Sequence, residues 1–119
     1  MNWNTNYTPT PEAWTCILYA IELDPKVLLD PAFIAANPGY IVGMPLLYIG
    51  MTSLSSPEER FRQHMLGTKN VSRIAHAFGR KLRQDMVPKR KPTRRSWAMR
   101  HEKTLAWQLR ARGYGIWQA

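Results

Sequence analysis

Apolar residues in this chain fall into runs of strand length and stripes of helical spacing, separated by Pro and Gly. Trp14 to Leu23 is almost continuously apolar and β-branched, and Asp24-Pro25 ends it, which predicts a buried strand. Pro45 to Gly50 predicts a second strand. Between them, residues 24–44 are punctuated by Pro25, Pro31 and Pro38 and read as an insertion. Within it Asp30-Pro31 has the form of a helix start, and Asn37-Pro38-Gly39 a stop after one or two turns. Ser56-Pro57-Glu58-Glu59 is a capping-box pattern, opening a helix that should reach Leu66 before Gly67. A second helix is expected over Asn70–Phe78 and a short strand over Lys81–Met86. A third helix is expected from a Ser96 cap to about Arg112, and a closing strand over Tyr114–Trp117. Residues 1–12 read as an N-terminal extension, leaving 13–119 as a single domain.

Composition changes this picture only through charge. A hydrophobic content of 45% in 119 residues suits one folded domain. The net charge of +9 is unevenly spread. Residues 1–59 carry one Lys/Arg against six Asp/Glu, a net of −5, and residues 60–119 carry sixteen against two, a net of +14. A one-sided basic half is the footprint of a polyanionic partner. The single cysteine, Cys16, rules out an intrachain disulfide or a cysteine-rich zinc site. No apolar run approaches the ~20 residues needed to span a bilayer, and the start of the chain lacks a signal-like pattern, so a cytoplasmic protein without a membrane partner is expected.

Two places carry candidate chemistry. Arg60 and His64 lie four apart and share one helix face, with Phe61 and Met65 on a neighbouring, core-facing side. Arg60 can clamp a phosphate or pair with Glu58 or Glu59. On the third helix, Glu102 interrupts the apolar stripe Ala98, Leu105, Ala106, Leu109. A carboxylate there costs several kcal/mol unless compensated. Either a neighbouring arginine pairs with it or it binds a hard divalent cation such as Mg²⁺, which is often held by only one or two carboxylates.

The ordered set Ile17-Leu18-Tyr19, then Tyr48-Ile49-Gly50, then Arg60 and His64, then Glu102, resembles the GIY-YIG nuclease family over roughly residues 14–118. The run from Leu105 through Ala119 is similar to small stand-alone bacterial members. In the first motif Ile17 stands where the family has glycine, and Gln118 stands where the family tends to carry an asparagine. The resemblance implies an α+β fold, a small three-stranded antiparallel sheet flanked by about three helices. It also implies metal-dependent hydrolysis of DNA phosphodiesters with one Mg²⁺ or Mn²⁺ ion. The implied catalytic set is Tyr19, Tyr48, Arg60, His64 and Glu102, with Glu102 the metal ligand and Tyr19 the general base, Tyr48 serving as its orienter or substitute. Gly50, Arg62, Lys69, Asn70, Arg73, Arg83 and Gln118 are the expected nucleic-acid contacts, with the basic loop Lys89–Arg95 tracking the backbone. Single-stranded DNA suits a small domain with scattered aromatics, and duplex DNA remains an alternative substrate. The competing readings are a non-catalytic nucleic-acid-binding module on the same fold, and a basic protein that docks on an acidic partner.

Overall fold

The computed structural model describes residues 13–53, 56–68 and 70–119. Its elements are β1 (Ile17–Leu23), a 3-10 turn (Pro25–Leu29), α1 (Pro31–Ala36), β2 (Leu46–Thr52), α2 (Pro57–Leu66), α3 (Arg73–Phe78), β3 (Gly79–Leu82), a second 3-10 turn (Gln84–Met86), α4 (Arg95–Ala111) and β4 (Gly115–Gln118). The fold is α+β, with a four-stranded mixed sheet in the order β3-β1-β2-β4. β1 pairs antiparallel with β2 and β3, and β2 pairs parallel with β4. The expected three-stranded antiparallel sheet is therefore corrected. The parallel pairing needs the long return through α2, α3 and α4, and a crossover of that length leaves no local sequence signal.

β1 and β2 are central, and both faces of the sheet are covered. That explains their near-continuous apolar runs. On one face Ala20, Leu47 and Ile49 pack with Leu105, Ala106 and Leu109 of α4 and with Ile116. On the other, Tyr19, Ile21, Leu23, Leu46 and Tyr48 pack with Phe33, Ile74 and Ala75.

Local chemistry sets the boundaries. Ser56 Oγ accepts from Glu59 N–H at 3.3 Å, Pro57 opens α2, and Gly67 closes it in the left-handed region at φ 69°. The helix expected from Asn70 begins instead at Arg73, because Ser72 caps it through Ala75 N–H and Asn70 holds a left-handed φ of 66°. α4 starts at Arg95 with Arg94 as its cap residue, two residues before the expected Ser96 cap. The expected strand over Lys81–Met86 is shorter and earlier. Beyond Leu82 the Gln84 amide satisfies the β1 edge, accepting from Ala20 N–H and donating to Leu18 O, both at 3.1 Å. Residues 24–44 hold the first 3-10 turn and α1. Among the described residues no helix is long and apolar enough to cross a membrane.

Candidate active site

Tyr19 projects from β1 opposite Gly50 of β2 and is 1% exposed. A Cβ at position 50 would lie 2.6 Å from the Tyr19 hydroxyl, so only glycine lets the phenol lie across the strand at this point. The glycine therefore seats Tyr19.

The phenol meets His64 of α2, with 2.7 Å between Tyr19 Oη and His64 Nε2. His64 is fully buried, and its Nδ1 accepts from Ser72 N–H at 3.3 Å. An accepting Nδ1 puts the neutral imidazole's proton on Nε2, so His64 donates to Tyr19. Burial first, then the Arg60 charge, pull the His64 pKa down to about 4. At neutral pH His64 is thus a hydrogen-bond donor and a poor proton acceptor. Tyr48 completes the ring cluster, 6.0 Å from Tyr19 and 5.1 Å from His64 between centroids.

The two tyrosines are not equivalent. Burial raises both above the ordinary phenol value. For Tyr19, hydrogen bonds from Tyr48 and Arg60, and the Arg60 charge, work against that rise. For Tyr48 the interaction with Tyr19 adds to it. Tyr19 is therefore the phenol whose ionised form its neighbours favour more, and Tyr48 the one held more firmly protonated. Tyr48, in turn, lines an open cleft.

Arg60 stands at the mouth of this cluster. Its guanidinium donates to Gln63 Oε1 and to Asn70 O, each at 2.7 Å. The left-handed Asn70 turns its carbonyl to the arginine, a conformation asparagine adopts more readily than most residues. Arg60 and Asn70 line two adjoining clefts. One, of about 360 Å³, runs past Thr52, Ser53 and Arg95; the other, of about 450 Å³, past Tyr48, Ser72, Arg73, Trp117 and Gln118.

Glu102 lies on the buried stripe of α4, as its sequence position indicated, and is 4% exposed. Burial pushes its pKa up to about 7, against a hydrogen bond from the Ala119 backbone and the charges of Lys103 and Arg95. Its Oε1 is buried with no hydrogen-bond partner among the described residues. Its charge acts on both tyrosines, raising each. An orphaned, buried carboxylate oxygen fits a hard cation that takes oxygen ligands. Among the described residues no group of three or more His, Cys, Asp or Glu could hold a metal. A cation here would take one protein carboxylate and complete its shell with water and substrate oxygens.

The remaining expected contacts scatter. Arg62 is exposed on α2, and Lys69 lies outside the described residues. Arg73 pairs with Asp30 at 2.8 Å while staying on the cleft wall. Arg83 is committed elsewhere, bridging Glu22 at 2.7 Å and Asp85 at 2.9 Å. Gln118 lines the Tyr48 cleft, but its Oε1 accepts from Arg110 at 3.2 Å. Sequence reasoning missed Gln63 and Ser72, which orient Arg60 and fix the His64 tautomer. Gln63 is one helical turn from Arg60, a spacing that pointed to the contact; Ser72 gave no sign beyond its capping pattern. Comparison of the chain with family models, with curated proteins and with solved structures finds no match in any of the three.

Proposed function

We propose that this chain is a divalent-metal-dependent DNA endonuclease of the GIY-YIG kind. The observation that carries the reading is one arrangement. Tyr48 and Arg60 line a cleft, Tyr19 and His64 are buried against Tyr48, and Glu102 on α4 holds a buried carboxylate oxygen with no hydrogen-bond partner among the described residues. A plain core has no use for this set, since each buried polar group in it costs free energy.

Arg60 binds the scissile phosphate and stabilises the charge that grows on its oxygens as water attacks. Its hydrogen bonds to Gln63 and Asn70 hold the guanidinium in place before substrate arrives. Tyr19, in its ionised form, is the proton acceptor: burial raises its pKa, and the His64 Nε2–H bond, the contact with Tyr48 and the Arg60 charge work against that rise. Tyr48 faces the cleft, so it takes the proton from the attacking water while passing its own to Tyr19. His64 holds Tyr19 and donates to it throughout. Glu102 would hold one divalent ion, which when bound supplies Lewis-acid stabilisation of the phosphate and the leaving 3′ oxygen.

The test is cleavage of a randomised oligonucleotide pool, single- and double-stranded, with Mg²⁺ or Mn²⁺ and sequenced products. Wild type should cut, and Arg60→Ala and Glu102→Ala should not, while both still bind DNA. Wild-type rates from Glu102→Ala would sink the proposal. Salt-sensitive binding without cutting under either metal would favour the non-catalytic module.

A further inference from the structure

Beyond the catalytic cleft, the start of α4 carries an exposed cluster of aromatic rings and arginines. Trp14 is 65% exposed and Trp97 is 40% exposed. The Arg94 guanidinium lies over both rings, 5.4 Å from the centroid of Trp14 and 6.0 Å from that of Trp97. Arg100 lies 5.3 Å from the Trp97 centroid, and His101 packs beside the same ring at 6.1 Å. Large rings exposed to water cost free energy unless something covers them. Here the covering groups are cations, which hold the rings in place and leave part of each π surface open.

The surrounding charge selects the occupant. No Asp or Glu occurs between Asp85 and Glu102, while that stretch holds six Lys/Arg. The neighbouring residue, Arg95, lines the same cleft as Arg60. A phosphate chain leaving Arg60 thus meets Arg95 and then the Trp–Arg cluster. Unpaired bases stack on exposed rings, whereas in a duplex the π faces are already stacked on each other.

We propose that Trp14 and Trp97, with Arg94 and Arg100, form a stacking platform for unpaired bases next to the catalytic cleft, making a single DNA strand the bound form of the substrate. This rests on the nuclease reading for its place beside the scissile phosphate, and its test separates the two. Binding of fluorescent oligo(dT) and of a duplex of equal length is measured by anisotropy with the full chain in EDTA. Trp97→Ala should weaken oligo(dT) binding by about 5- to 100-fold and duplex binding far less. Trp97→Phe should recover most of the loss, and Trp14→Ala should act in the same direction. The salt dependence gives a second readout: Arg100→Ala should lower the slope of log K against log salt by about 0.7, while Trp97→Ala leaves it unchanged. Circular dichroism and melting of each variant control for folding. Undiminished oligo(dT) binding by both Trp→Ala variants, or equal losses for strand and duplex, overturns the platform. If the wild type still cuts, the nuclease reading survives that result. If the expected pattern appears without cleavage under any metal, the platform stands and the nuclease reading falls.

Discussion

Alternate residues of the same two strands, β1 and β2, build two unlike faces. Ala20, Leu47 and Ile49 look toward α4 and meet Leu105, Ala106, Leu109 and Ile116, a dry apolar contact. One residue along, Tyr19 and Tyr48 look the other way, toward His64 and Ile74. Both faces carry core, and the cluster on the first is wholly apolar. The second spends part of its burial on hydroxyls and an imidazole. Period-two alternation puts a core and a titratable cluster one residue apart, and a single-residue slip of register would exchange them. The exception on the α4 side is Glu102, an acid on an otherwise apolar stripe.

That exception is the sharpest way to break the comparison. Glu102→Gln should lower cutting by about 10³-fold, because the amide keeps the shape and loses the charge that would hold a cation. The same variant should be at least as stable as wild type above pH 7, as measured by chemical denaturation. A loss of both activity and stability would make Glu102 a structural residue. Next, Leu47→Ala should cost about 2–5 kcal/mol, as removal of a fully buried side chain does, with a matching fall in Tm. Tyr19→Phe, on the opposite face, should cost less than about 2 kcal/mol but slow single-turnover cutting by about 10²-fold. If Leu47→Ala and Tyr19→Phe affected stability alike and left cutting untouched, the two faces would not differ in purpose.

The pH dependence of stability sharpens the same contrast. Glu102, raised from 4.5 to about 7, is protonated in the fold where the unfolded chain is ionised, so its contribution is full below pH 4.5 and lost as pH rises toward 7. His64, lowered from 6.5 to about 4, acts in the opposite sense: its contribution is full above pH 6.5 and lost as pH falls toward 4. Each spans on the order of 3 kcal/mol. Between about pH 4.5 and 6.5 the two slopes oppose each other. Denaturant titrations should find stability falling with pH in His64→Gln, rising with pH in Glu102→Gln, and nearly level in wild type across that window. The smallest effect is expected from Arg83→Gln, which breaks a surface pairing with Glu22 and Asp85: less than about 1 kcal/mol and no change in cutting. A large cutting defect there would return Arg83 to the substrate path.

The residues of the cluster were legible because each broke a local rule. Glu102 violates an apolar stripe, Arg60 and His64 share a helix face, and Tyr48 precedes a glycine that strand propensity would not choose. The helices announced themselves through caps, as at Ser56 and Gly67. What was not legible depended on distance in sequence. The parallel pairing of β2 with β4 joins Tyr48 to Trp117, and nothing local specifies it. The partners of Arg83 come from β1 and from two residues downstream, so its charge looked available until the chain was folded. Arg60, with equal charge, kept its place at the cleft because its partners are neutral carbonyl oxygens that leave its charge unspent.

Asn37 gives the segment between the first two strands a different standing from that of an insertion. Its buried amide donates to Phe33 O at 2.8 Å and Ile116 O at 3.0 Å, and accepts from Ile116 N–H at 2.8 Å and Arg110 Nε at 3.1 Å. One side chain thereby fastens α1, β4 and α4 together, and β4 leads into Ala119, whose N–H donates to Ile49 O of β2 at 3.1 Å. A shortened chain lacking residues 24–44 would not be a minimal version of this domain. It would release the strand that follows α4, and with it the parallel partner of β2 that brings Trp117 and Gln118 to the Tyr48 cleft.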